Sequence, residues 1–171
     1  MLAGISACNV SSNENLEEYR ILVGTYTQKG SQGIYYYSLD SSMVSPKLKS
    51  KTTGVKNPSF LIYKDGVVYT VNEEEQGMVQ AYALNRESGA FVYLNAQKSG
   101  GAHPCHLSES DDKIFVSNYS GGNLAVLPIE SEGKLGKGIQ LFANHGSGPN
   151  EERQEKPHIH SATVSPDGKT L

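Results

Sequence analysis

One stretch of the sequence, NPSFLIYKDGVVYTVN at residues 57–72, shows how the chain is built. It consists of an apolar segment, an Asp65-Gly66 turn and a second apolar segment, which is typical of two antiparallel strands joined by a tight turn. The alternating segment Met78–Leu84 then predicts a third strand. The same pattern returns in HPCHLSESDDKIFVSN at residues 103–118 and in the alternating residues 123–127.

Prolines mark the starts of these copies and of a third one. Pro58, Pro104 and Pro157 stand 46 and then 53 residues apart, and the third copy runs over Pro157–Val164 to a turn at Asp167-Gly168. An earlier copy, which lacks its first strand, covers residues 21–39. Repeats of about 40 to 50 residues with four short strands each are typical of β-propeller blades. We therefore predict an all-β chain: a partial β-propeller over residues 21–171, with about three four-stranded blades plus the start of a fourth.

The composition agrees with this prediction and narrows the class of partner. The 171 residues include ten tyrosines and eighteen glycines but no tryptophan, and no window shows a sustained helical stripe of apolar residues. The formal net charge is −3, and lysines and arginines are scattered along the chain. Because a nucleic-acid backbone is bound by clustered positive charge, we expect no nucleic acid as partner.

The two cysteines, Cys8 and Cys105, allow at most one disulfide. The segment Ile5–Cys8 is similar to the end of a bacterial lipoprotein signal, in which small residues precede a cysteine that is lipidated. This interpretation predicts that residues 1–20 are a tether, that Cys8 is the lipid anchor, and that the protein lies in the cell envelope or periplasm. The alternative is an unstructured leader on a cytoplasmic protein. We expect contact with a membrane only through such an anchor.

The blade pattern also predicts where polar side chains collect. The first strand of a blade lines the central channel and the second runs antiparallel to it, so the start of the first and the end of the second meet at one mouth of the channel. First-strand starts supply three histidines, and second-strand ends supply a carboxylate, an amide and a phenol: His106, His158, His160, Glu73, Asn118 and Tyr119.

Four motifs together resemble those of a known family. They are Val23–Thr27, Val71–Glu73, Pro104–Ser108 with Ser117–Gly122, and Lys156–Ser161. The chain resembles the lactonase family of seven-bladed β-propellers, which includes 6-phosphogluconolactonases and carboxymuconate-cyclising enzymes. Family members are about twice this length, so we expect the chain to be an N-terminal part of such a protein.

The resemblance implies a hydrolase that opens a sugar lactone, with 6-phosphogluconolactone as substrate, in the pentose phosphate pathway of carbohydrate metabolism. It implies no cofactor and no metal, and we expect a monomer at full length. Two alternatives remain open at this point: a lyase or isomerase that closes or opens a carboxymuconate lactone, and a non-catalytic binding propeller on the cell envelope. The histidines alone do not separate them, because fold by itself does not decide function.

Lactone opening needs a base for water, donors for the oxyanion and an acid for the leaving alkoxide. The resemblance makes His160 the leading base, against the alternative of a channel histidine satisfied by a neighbouring blade. Glu73 is a candidate acid or base, or else a solvated turn carboxylate. Arg153, in the long loop 144–156, is a candidate cation for a phosphate or carboxylate, or else part of a surface ion pair.

Four further residues are candidates for substrate binding. His106 and His158 line the same mouth, and His158 with His160 could also hold a metal, although no third ligand is specified. Asn118 and Tyr119 either contact substrate or pin the turn before Gly121-Gly122.

Overall fold

The computed structural model describes residues 18–41, 45–138 and 140–171, and within them it consists of three antiparallel sheets. The only helices in these ranges are two short 3₁₀ turns, Thr27–Lys29 and Ser131–Gly133. The first sheet contains β1 (Glu18–Val23), β2 (Tyr35–Asp40) and β3 (Lys47–Lys51). The second contains β4 (Leu61–Lys64), β5 (Val67–Asn72), β6 (Met78–Leu84) and β7 (Phe91–Lys98). The third contains β8 (Pro104–Ser110), β9 (Lys113–Asn118), β10 (Asn123–Pro128) and β11 (Gln140–Ala143).

Strand β5 shows why the sheets stack. All six of its residues are buried, because successive side chains point to opposite faces of the sheet and both faces are covered. Val67, Tyr69 and Val71 lie in a core formed with the third sheet. Val68 lies in a second core with residues of the first blade, including Ile34 and Tyr36. The middle sheet is thus packed between the other two, as neighbouring blades are in a propeller.

The prediction of three blades of antiparallel strands is confirmed, and the first blade has three strands because its first copy lacks the inner one. The predicted first strand of a fourth blade is not formed, since Pro157–Val164 pairs with no other strand in the described part of the chain. The first strand of a blade pairs with the second strand of the same blade. Here the residues that follow the turn, 169–171, form no strand, so Pro157–Val164 has no partner strand among the residues that the structure describes. The predicted turn at Asp167-Gly168 is present: the Gly168 N–H donates to the Ser165 carbonyl oxygen at 2.8 Å.

The first strand begins earlier than the sequence pattern predicts. Strand β1 spans Glu18–Val23, so the predicted domain start at residue 21 falls inside it; the pairing of Glu18 with Asp40 extends the strand to that point. The segment 1–17, including Cys8, lies outside the described residues. Among the described residues no helix has the length and hydropathy needed to cross a membrane.

The residues before the opening prolines of the second and third blades, Asn57 and His103, shape the mouth of the channel. Asn57 and His103 both have a left-handed backbone, with φ of 42° and 50°, which is uncommon for residues other than glycine. Their carbonyl oxygens accept hydrogen bonds from the N–H groups of Glu73 and Tyr119, at 3.1 and 3.0 Å. The same bond in two blades therefore fastens the start of the first strand to the end of the second.

Candidate functional site

The carboxylate of Glu73 is held by two hydroxyl groups. Its Oε2 atom accepts hydrogen bonds from the Tyr26 hydroxyl at 2.7 Å and from the Ser59 hydroxyl at 2.5 Å. Tyr26 follows β1 in the first blade, whereas Ser59 and Glu73 belong to the second, so the Tyr26 bond crosses between blades. This bond raises the pKa of the Tyr26 phenol above its ordinary value, with burial adding to the effect. Tyr26 is therefore a neutral donor to the carboxylate.

Cys105 lies between this carboxylate and the segment of His160. Its Sγ is 3.3 Å from the carbonyl oxygen of His160. Burial raises the pKa of the Cys105 thiol, and the negative charge of Glu73 raises it further. A thiol with a raised pKa is a poor nucleophile at neutral pH. Cys105 thus packs the site rather than reacting in it.

His106 and His160 come close enough to influence each other. Burial lowers the pKa of the His106 imidazole, and the nearby His160 lowers it further. The His106 ring packs against Phe60 of the second blade with ring centroids 4.5 Å apart, and its buried Nδ1 has no hydrogen-bond partner among the described residues. His160 is exposed, so its imidazole can reach a molecule at the mouth.

Tyr119 and His158 form an adjoining pair. Their rings are stacked with centroids 4.6 Å apart, and the Tyr119 ring also meets His160 edge-on at 5.6 Å. The His158 Nδ1–H donates to the Tyr119 carbonyl oxygen at 3.2 Å, and its Nε2 lies 3.3 Å from the Glu155 carboxylate. Both His158 nitrogens are therefore engaged by protein groups.

Two predicted site residues, Asn118 and Arg153, make none of the contacts described above. Asn118 is fully buried, and its Nδ2 donates to Ser99 O at 3.0 Å and to Asn123 Oδ1 at 2.7 Å. This position fits the alternative that Asn118 pins the turn, and we do not retain it as a substrate ligand. Arg153 is exposed in the loop, where its backbone N–H donates to Asn150. Its guanidinium forms no ion pair with a described residue.

The structure thus brings five predicted residues to one region: Glu73, His106, Tyr119, His158 and His160. We name this region the mouth cluster, and it also includes Tyr26, Ser59 and Cys105, which the sequence patterns did not indicate as site residues. No group of three or more His, Cys, Asp or Glu side chains within the described ranges is arranged to hold a metal ion.

The alignment of the repeats could have indicated Ser59 as a site residue. Ser59, Cys105 and His158 each follow the opening proline of their copy, so they occupy equivalent positions at the mouth. Tyr26 had no such signal, because its contact with Glu73 joins residues 47 positions apart in different blades.

Comparisons with known proteins identify the family to which this chain belongs. The family described as "Lactonase, 7-bladed beta-propeller" matches residues 20–171, so the chain belongs to the lactonase family of seven-bladed β-propellers. A 6-phosphogluconolactonase of Bacillus subtilis (strain 168) is 37% identical over 160 residues, which cover 89% of this chain and 45% of the relative.

Two solved structures agree with this assignment. A Bacteroides fragilis NCTC 9343 protein proposed to be a 6-phosphogluconolactonase superposes with a TM-score of 0.84 at 40% identity, covering 89% of this chain and 44% of that one. A periplasmic gluconolactonase of Pseudomonas aeruginosa superposes with a TM-score of 0.82 at 31% identity, covering 90% and 46%. The chain therefore spans less than half the length of these relatives.

Proposed function

We propose that the protein containing this chain is a hydrolase that opens a sugar lactone, and that the mouth cluster is part of its active site. The observation that supports this most strongly is the gathering of Glu73, His106 and His160 at one mouth of a lactonase-family propeller. The names of the relatives point to 6-phosphogluconolactone or gluconolactone as the substrate class.

His160 is the proposed general base. Its imidazole is exposed at the mouth, and histidine is the side chain that most often serves as a general base, so it can take a proton from the water that attacks the lactone carbonyl. His158 is less suited to this role because its Nδ1–H is bound to Tyr119 and its Nε2 faces Glu155.

Glu73 is proposed as an acceptor at the same site. Two hydroxyl groups already donate to its Oε2 atom, so the carboxylate is arranged to accept hydrogen bonds at this position. Arg153 is proposed to bind an anionic group of the substrate, since its guanidinium is unpaired within the described residues and guanidinium matches phosphate in geometry.

The cell compartment in which the protein lies determines which lactone it encounters. A lipidated Cys8 would place the protein in the envelope, where the named Pseudomonas relative is a gluconolactonase. A cytoplasmic protein would instead meet the phosphorylated lactone named by the Bacillus relative.

The test is a substrate panel on the purified full-length protein: 6-phosphogluconolactone, glucono-δ-lactone and a carboxymuconolactone. We expect turnover of at least one sugar lactone. If the phosphorylated lactone is preferred, Arg153→Gln should raise its KM about 10-fold, because a charge-assisted contact is lost, and should leave KM for glucono-δ-lactone unchanged. Arg86→Gln, at the turn between β6 and β7, is the matched control. Turnover of the carboxymuconolactone alone, or of no lactone, would refute the proposal.

A further inference from the structure

The two oxygens of the Glu73 carboxylate are used differently. Oε2 accepts both hydroxyl donors, Tyr26 at 2.7 Å and Ser59 at 2.5 Å. Oε1 accepts no hydrogen bond from the residues that the structure describes. Glu73 itself is only half-buried, so one oxygen is fixed by the protein while the other remains available.

The two donors to Oε2 belong to different blades. Ser59 precedes β4 in the same blade, and its hydroxyl reaches Glu73 across the hairpin of β4 and β5. Tyr26 reaches it from the first blade, and Tyr26 as a residue is 56% exposed. Because both donors hold Oε2 and they belong to different blades, together they restrict the orientation of the carboxylate and leave Oε1 as the oxygen available to a ligand.

A sugar lactone differs from a simple lactone by its ring hydroxyl groups. A hydroxyl is a hydrogen-bond donor, and an ionised carboxylate oxygen is a strong acceptor for it. Sites built to bind a substrate hydroxyl discriminate well against analogues that lack it, because the buried acceptor is then left unpaired.

We infer that Glu73 Oε1 accepts a hydrogen bond from a substrate hydroxyl, and that Tyr26 is a positioning residue that aims Glu73 at it. Tyr26 thus makes the first blade a determinant of specificity for hydroxylated lactones. This inference rests on the proposed function, because it assumes that the mouth cluster binds a sugar lactone.

The test uses Tyr26→Phe in the full-length protein with the sugar lactone that the wild type turns over fastest. Phenylalanine keeps the ring and removes the hydroxyl that holds Oε2. We expect KM to rise on the order of 10-fold with kcat within about twofold, because uniform binding of the hydroxyl is lost rather than a transition-state contact. Tyr63→Phe, which removes a hydroxyl at the far end of β4, should change neither constant.

A double-mutant cycle distinguishes positioning from a general structural effect. Glu73→Gln should raise KM at least as much as Tyr26→Phe, and Tyr26→Phe in the Glu73→Gln background should add nothing further, since the effect passes through Glu73. Additive effects, or an unchanged KM in Tyr26→Phe, would overturn the inference while leaving the proposed function intact. Absence of any lactone turnover in the wild type would overturn both.

Discussion

At the scale of single residues, His106 is a histidine at a position where the neighbouring blade has a phenylalanine. His106 and Phe60 each lie two residues after an opening proline, in neighbouring blades, and their rings are 4.5 Å apart. The second blade thus places a phenyl ring where the third places an imidazole. Because the surroundings are apolar and His160 is near, the pKa of His106 lies below its ordinary value of 6.5.

This lowered pKa predicts a dependence of stability on pH. In the unfolded chain His106 binds a proton below about pH 6.5, whereas in the folded protein it stays neutral until a lower pH. Folding is therefore opposed progressively as pH falls through 6.5, and His106 has no such effect well above that pH. We expect the melting temperature of His106→Phe to fall less than that of the wild type between pH 7.5 and 5.5.

The exposed His145 supplies the control for this prediction. His145→Phe should lose stability on acidification as the wild type does. The explanation fails if His106→Phe and the wild type show the same slope of melting temperature against pH.

At the scale of strands and turns, hydrophobic alternation predicted the elements well and their ends less well. The predicted third strand of the second blade, Met78–Leu84, has the same bounds in the structure as β6. The predicted strand over residues 57–63 begins only at Leu61, since Asn57 is left-handed and its carbonyl accepts the Ser59 N–H at 2.8 Å. A turn of this kind leaves no mark in an alternation pattern.

The backbones of the first and second blades approach closely at Gly24, and a mutation there tests this contact. A Cβ atom on Gly24, just after β1, would lie 2.2 Å from the carbonyl oxygen of Pro58 in the second blade. Gly24→Ala should therefore force the two segments apart and lower the free energy of unfolding by about 1 to 3 kcal/mol. Gly138→Ala, where a Cβ meets nothing within 4 Å, should change it by less than about 0.5 kcal/mol. Urea denaturation of both variants measures their free energies of unfolding. Equal stabilities of the two variants would contradict the close contact between Gly24 and Pro58.

At the scale of the whole molecule, the mouth cluster exists only because blades are adjacent. Glu73 is bonded to Tyr26 of the first blade, and Cys105 of the third contacts the backbone of His160. The sequence could predict that histidines and Glu73 share a mouth, because that follows from the order of strands in a blade. It could not predict which side chains bond to each other, because those contacts depend on the angle and spacing between sheets.

The most direct test of the central claim compares sugar-lactone turnover by two variants of the full-length protein, His160→Ala and His158→Ala. Loss of a positioned general base should lower kcat by a factor on the order of 10² to 10⁴. The melting temperature should stay close to that of the wild type, because the exposed imidazole at position 160 buries little surface. His158→Ala should retain far more activity, since its ring is engaged by Tyr119 and Glu155. Wild-type turnover in His160→Ala would contradict the assignment of the mouth cluster as the active site.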